Sequence, residues 1–265
     1  MNSSIREPAV AGSFYPQNTE ALEQTVRDYL HQCPCATTGQ RPLAMIVPHA
    51  GYIYSAAIAA SAYKQIIPYA EQISRVVLLG PSHRMPITGI ASCSQSIFHT
   101  PLGDVPVDLD IIGQLNQLDY VHINDEAHRH EHSLEVQLPF LQVILKQFSI
   151  IPLLTGQVND EQISALIAPF FQDEQTLILI SSDLSHYLDY ERAQQCDQAT
   201  QQAIENYAAQ NIHYEQACGR SAIAGLLLSA QQQHLYVKSL DLRNSGDTAG
   251  SKDRVVGYGA WAFFK

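Results

Sequence analysis

Apolar positions in this chain fall into short unbroken runs, and stretches with helical spacing separate them. Residues 43–47, 75–79, 149–154 and 176–181 are such runs. Apolar runs of this length suit strands buried on both faces of a parallel sheet. Residues 87–92 read as a further strand, and 100–104 (Thr-Pro-Leu-Gly-Asp) as a turn. Helical spacing covers 21–30, 56–67, 108–118, 133–146, 160–171, about 190–209, and 220–231. The helix over 56–67 is small and apolar all round, so it is read as buried. Asp108 is the expected N-cap of the third helix, and Pro139 should kink or split the fourth. The C-terminal part changes character: 234–242 and 255–263 read as two long strands around a turn at Ser245-Gly246-Asp247. Strands alternating with helices and closed by a hairpin predict an α/β protein, three-layer α/β/α with a mixed central sheet.

The chain has 265 residues, 46% of them hydrophobic, which is enough for one large core. No linker-like stretch and no internal repeat interrupts it, so a single domain over 1–265 is expected. Asp and Glu number 26 against 15 Lys and Arg, a net charge of −11. That balance argues against a nucleic-acid surface, which needs clustered cations. The longest apolar runs are far too short to span a bilayer, and the N-terminus lacks an apolar signal core. A cytoplasmic protein is expected. Five cysteines, an odd number, argue against a disulfide framework. Cys33-Pro34-Cys35 has the wrong spacing for a zinc pair and reads as a loop.

The chemistry gathers where strands end. Three runs pass through small residues into polar clusters: Val47-Pro48-His49-Ala50-Gly51-Tyr52, Gly80-Pro81-Ser82-His83 and Ser181-Ser182-Asp183-Leu184-Ser185-His186. Ligands of open α/β sheets bind beyond the carboxyl ends of the strands, so parallel neighbours would bring these tips into one cleft. Two histidines from separate strand ends supply two metal ligands. Asp183 and Cys218 are the candidates for a third. Cys218 precedes a predicted helix, and a helix N-terminus favours the thiolate. The stretch Asp125-Glu126-Ala127-His128-Arg129-His130-Glu131-His132 is read as a solvated loop feeding a helix. His132 and Glu135, three apart, would share a helix face and orient ligand rings from behind.

These segments, with Arg6-Glu7-Pro8-Ala9-Val10-Ala11-Gly12-Ser13-Phe14-Tyr15-Pro16, Glu131-His132-Ser133-Leu134-Glu135 and Cys218-Gly219-Arg220, resemble in order the motifs of the MEMO family. Bacterial and archaeal members are called AmmeMemoRadiSam system protein B. The resemblance implies a radical-SAM protein and an AMMECR-type protein as partners. It also implies a fold similar to class III extradiol ring-cleaving dioxygenases. Those enzymes hold Fe(II) on two His and one carboxylate. Carried over, His49 and His83 match the two His ligands, Cys218 the third metal-site residue, and His186 the acid/base histidine. A thiolate in place of the carboxylate shifts preference toward copper, zinc or sulfur-bound iron.

Three readings follow. The first is an Fe- or Cu-dependent oxidoreductase with metal on His49, His83 and Cys218, and Asp183 as ligand or acceptor. His186 would move protons, while His132 and Tyr52 line the pocket. The second is an adaptor module that keeps the dioxygenase fold and binds a peptide or anionic small molecule through Arg220. The third is a zinc hydrolase.

Overall fold

The ends of the central strands fix where the chemistry lies. The computed structural model describes residues 4–265. Its main sheet runs in the order His186–Leu188, Val255–Phe264, Ala44–Val47, Thr176–Ser181, Arg75–Pro81, Ser149–Thr155, Ile90–Ser92, Val121–Ile123, and Tyr236–Asn244 also pairs with Val255–Phe264. The middle four strands are mutually parallel. Val255–Phe264 and Ile90–Ser92 flank them antiparallel. The sheet is therefore mixed, as the sequence predicted. The four central strands are buried over almost their whole length, which explains their unbroken apolar runs. Val47 stands opposite Ser181 and Leu79 opposite Ile180, so three carboxyl ends finish level.

Helices cover both faces in a three-layer α/β/α arrangement. Thr19–Gln32, Tyr52–Ile66 and Leu138–Ile144 pack on one another, as do Asp160–Ile167 and Arg220–Gln232. Starts are set by short polar side chains: Asn18 accepts from the Ala21 amide, and Asn159 forms a reciprocal cap with Gln162. Asp108 caps Leu109–Leu115 as expected. Pro139 acts differently. It sits in the first turn of Leu138–Ile144, behind a 3₁₀ turn at Glu135–Gln137, so it starts a helix instead of kinking one. An amide there would have no helical partner to lose.

The predicted turn at 100–104 is the bend between strands Ile97–Thr100 and Gly103–Pro106. With Ile5–Arg6 they form a second, three-stranded sheet. Among the described residues no helix is long and apolar enough to cross a membrane.

The loop expected around His128 is instead a helix, Asp125–Arg129, capped by Asn124. His128 is buried, and its Nε2 donates to the Ala91 carbonyl at 3.0 Å. Burial pulls its pKa from 6.5 down to about 4. The unfolded chain therefore binds a proton that the folded chain refuses between these values. Stability from this residue is complete above its unfolded pKa and is lost as pH falls toward the folded one. The expected loss between pH 7 and pH 5 is about 2 kcal/mol. Urea unfolding at both pH values should show that loss shrinking in His128→Gln, whose amide can still donate to Ala91.

Candidate metal centre

Two glycines let the site close up. A Cβ on Gly80 would lie 2.8 Å from Leu134 Cδ2 and 3.0 Å from Ser133 Oγ. Its absence lets the 131–135 segment approach the end of Arg75–Pro81, where Ser133 Oγ donates to the Pro81 carbonyl at 2.8 Å. A Cβ on Gly219 would lie 2.7 Å from Ser182 Cβ and 2.9 Å from the Ser181 carbonyl. That contact brings Cys218 against the end of Thr176–Ser181.

Three imidazoles meet there. Ligand atoms of His49, His83 and His132 all lie within 4.8 Å of one another. Ring centroids are 5.1 Å apart for His49–His83, 5.5 Å for His49–His132 and 4.7 Å for His83–His132.

The hydrogen bonds fix the tautomers of two rings. Ser181 Oγ donates to the Ser133 carbonyl at 2.6 Å, so toward His49 Nδ1, 2.9 Å away, it accepts. His49 therefore carries its proton on Nδ1 and presents the Nε2 lone pair. Glu131 accepts from the backbone amides of His83, His132 and Ser133 and faces His83 Nδ1 at 2.9 Å. Burial alone would raise the Glu131 pKa, but its bonds to His83 and Ser133 outweigh burial and bring it to about 2. An ionised carboxylate only accepts, so a neutral His83 ring is also protonated on Nδ1, with Nε2 free. A carboxylate or hydroxyl behind each imidazole is the support that metal-binding histidines need.

His132 is the exception. Its buried Nδ1 lies 3.3 Å from Glu131 Oε1 without a hydrogen bond. Burial, first of all, pushes the His132 pKa down to about 4 and holds that of His49 far below its ordinary value. Neutral rings are the metal-binding form.

The other expected ligands lie around His49. Cys218 Sγ is 3.3 Å from His49 Nε2. The predicted helix N-terminus does not lower this thiol's pKa. Burial, and then the Asp183 carboxylate, push it up to about 12. Asp183 accepts from the His49 amide at 2.7 Å, and its other oxygen is 4.0 Å from His49 Nε2. Burial raises its pKa to about 7.

A cleft of about 620 Å³ opens over the cluster. Its lining includes His49, His83, His132, Asp183 and His186. His186 is partly buried, which lowers its pKa. Three expected pocket residues do not line this cleft. Tyr52 is buried and donates its hydroxyl to the Val136 carbonyl at 2.8 Å. Glu135 is fully buried and accepts from Arg6, Tyr15 and the amides of Ala9 and Val10. Arg220 is committed to Asp160 through two bonds, at 2.7 and 3.1 Å, and its guanidinium stacks over Tyr214.

Glu131 stands first in the family-like segment Glu131-His132-Ser133-Leu134-Glu135, but the sequence reading assigned it no role.

The family profile described as Memo-like protein matches residues 6–262. The chain belongs to this family. It is 35% identical to a MEMO1 family protein of Aquifex aeolicus over 96% of this chain and 97% of the relative. It is 34% identical to one from Methanosarcina mazei over 97% and 98%. Among solved structures, uncharacterized protein JW3007 from Escherichia coli K12 superposes with a TM-score of 0.52 at 11% identity, covering 82% of this chain and 99% of that one. That likeness concerns the fold alone.

The donor set of this Memo-like chain fits a transition metal. Neutral imidazoles suit zinc, copper and iron, and a neighbouring thiol adds a soft ligand.

Proposed function

We propose that this Memo-like protein is a metal-dependent oxidoreductase using iron or copper. His49 and His83 would be its fixed ligands, with His132 and Cys218 the candidates to complete the sphere. One observation carries the reading: the Nδ1 atoms of His49 and His83 each face a fixed partner, which leaves two Nε2 lone pairs beside a third imidazole. A bound iron or copper ion would supply one-electron chemistry at a site open to the cleft. The remaining work falls to the chain. His186 lines the same cleft, and with its pKa below the ordinary value it is neutral near pH 7 and can accept a proton from a bound hydroxyl. Asp183 holds the His49 backbone, and Phe14, Tyr54 and Tyr258 give the cleft apolar walls.

The test is elemental analysis of protein purified anaerobically without added metal, beside Cys218→Ser. Near-stoichiometric iron or copper, reduced in the variant, is the expected result. Protein that stays metal-free after anaerobic Fe(II), Cu(I) and Zn(II) additions would overturn the proposal. A zinc hydrolase is a second reading, favoured by the three imidazoles, since a three-histidine set with one open position is a catalytic zinc arrangement. Zinc alone, at the same level in Cys218→Ser, would select it.

A further inference from the structure

Helix Tyr52–Ile66 starts beside the histidines, and its far end meets a motif that the proposed function leaves unused, Cys33-Pro34-Cys35. Cys33 is the C-cap of helix Thr19–Gln32. Its sulfur lies 3.5 Å from Ser61 Oγ, and the Cys35 sulfur lies 3.5 Å from Gln65 Nε2. Ser61 and Gln65 are four residues apart on the helix, so they share one face of it. Both thiols therefore turn to the same side of their own chain, with only Pro34 between them. Cys33 is extended, with φ −61° and ψ 118°, and proline fixes φ after it. Backbone of this kind rises about 3 Å per residue, which puts Cα atoms two residues apart at roughly 6 Å, within the span of a disulfide.

The two thiols differ in surroundings. Ser61 Oγ donates to Asp241 Oδ2 at 3.0 Å, so toward Cys33 it accepts, and the buried Cys33 S–H is the donor. Cys35 is partly exposed, and Gln65 Nε2 donates to its sulfur, a bond that favours the thiolate. Burial, and then Cys33, raise the Cys35 pKa, Lys238 and Lys64 pull against them, and Asp241 adds to them. Lys64 is held in place, since its Nζ donates to the Cys33 carbonyl at 2.6 Å. One thiol is thus reachable from solvent, beside an amide donor and two ammonium groups, and the other is buried next to it. That division suits an attacking cysteine and a resolving one.

We infer that Cys33 and Cys35 form an exchangeable dithiol, which a small disulfide of the glutathione type oxidises to a bridge within the chain. The Cys35 thiolate attacks one sulfur of the small disulfide, a mixed disulfide forms, and one thiolate leaves. Cys33 then passes its proton to that departing thiolate, attacks the Cys35 sulfur and expels the second thiolate, which takes the proton first lost by Cys35. The protein gives up two electrons and two protons, and the small disulfide becomes two thiols. A bridge over one intervening residue gains little from chain entropy, so an excess of the thiol product should reverse it. Gln65 also accepts from the Thr38 amide at 2.8 Å and donates to the Ala36 carbonyl at 3.2 Å, so the loop keeps its anchors in both states. The dithiol needs neither the histidine cluster nor a metal.

The test treats reduced protein, freed of reductant, with oxidised glutathione at mildly alkaline pH. The reaction is quenched with N-ethylmaleimide in denaturant, and the protein is digested with trypsin. Residues 28–64 then form one peptide that holds Cys33 and Cys35 and no other cysteine. Mass spectrometry should find this peptide lighter by two hydrogens, with neither maleimide nor glutathione attached. Excess reduced glutathione should restore both thiols. Cys33→Ser keeps a donor toward Ser61 and should trap glutathione on Cys35. Cys35→Ser should leave Cys33 free of glutathione over the same time, because that sulfur is buried. Two surviving thiols in the parent protein, glutathione retained on it, or a bridge between two chains would overturn the inference. Glutathione on Cys33 in Cys35→Ser, as fast as on Cys35 in Cys33→Ser, would overturn the division of roles. Metal content plays no part in these readouts, so the dithiol and the metal centre stand or fall separately.

Discussion

Alanine at both His49 and His83 should reduce metal affinity by about four orders of magnitude and leave the fold intact. Structural zinc sites with four ligands bind with about 10–16 kcal/mol, or roughly 3 kcal/mol per ligand, so two ligands are worth about 6 kcal/mol. Competition dialysis against a chelator of known affinity would measure the loss. The fold should survive because neither ring is a packing keystone. With His49 gone, Ser181 Oγ still donates to the Ser133 carbonyl and accepts from the Gln137 amide. The half-exposed His83 leaves only Glu131 short of one partner. Glu131→Gln sets the scale for the supporting shell. It keeps the shape but puts a donor where an acceptor is needed, and 10–100-fold is the usual cost of losing such support. Affinity unchanged in the double variant would mean that the metal, if any, binds elsewhere.

Much of this site could be read from the sequence because strand ends leave a signature. A buried parallel strand must be apolar throughout, so its end is visible where the run breaks, and His49, His83 and Asp183 follow such breaks. Side-chain direction in irregular segments is not visible. Tyr52, Glu135 and Arg220 stand in or next to the same motifs as the clustered histidines, yet they turn into the core or toward a neighbouring helix. A residue type that suits a cleft equally suits a buried hydrogen bond. His132, expected as support, lies among the candidate ligands, because Glu131 holds its backbone amide and the missing side chain of Gly80 lets its segment approach the strand end. Cys218 shows a local rule overridden: the helix terminus is present, but burial beside Asp183 dominates. The strands at Ile97–Thr100, Gly103–Pro106 and Val121–Ile123 are too short for periodicity to reveal.

The second large effect is expected behind the histidine cluster. Arg6 is buried, with its guanidinium bonded to the Glu135 carboxylate and to the carbonyls of Glu131 and His128. Arg6→Ala should cost about 3–5 kcal/mol, the usual penalty for leaving a buried carboxylate without its counter-charge. Much of the penalty lies in the stranded charge, so Arg6→Met with Glu135→Gln, which removes the charge but keeps an acceptor for Tyr15 and the Val10 amide, should recover part of it. Urea unfolding of the three proteins would test this. A double variant as unstable as Arg6→Ala would place the cost in lost packing and lost carbonyl partners. The lesion should also reach the metal centre. Arg6 holds the Glu131 backbone, and the Glu131 side chain holds both His83 and the His132 amide, so the N-terminal segment braces two of the three imidazoles. Metal affinity should therefore fall in Arg6→Ala even under conditions where the protein remains folded. It should fall in the more stable double variant too, because methionine cannot donate to the Glu131 carbonyl. Full metal affinity in that double variant would confine Arg6 to stabilising the fold.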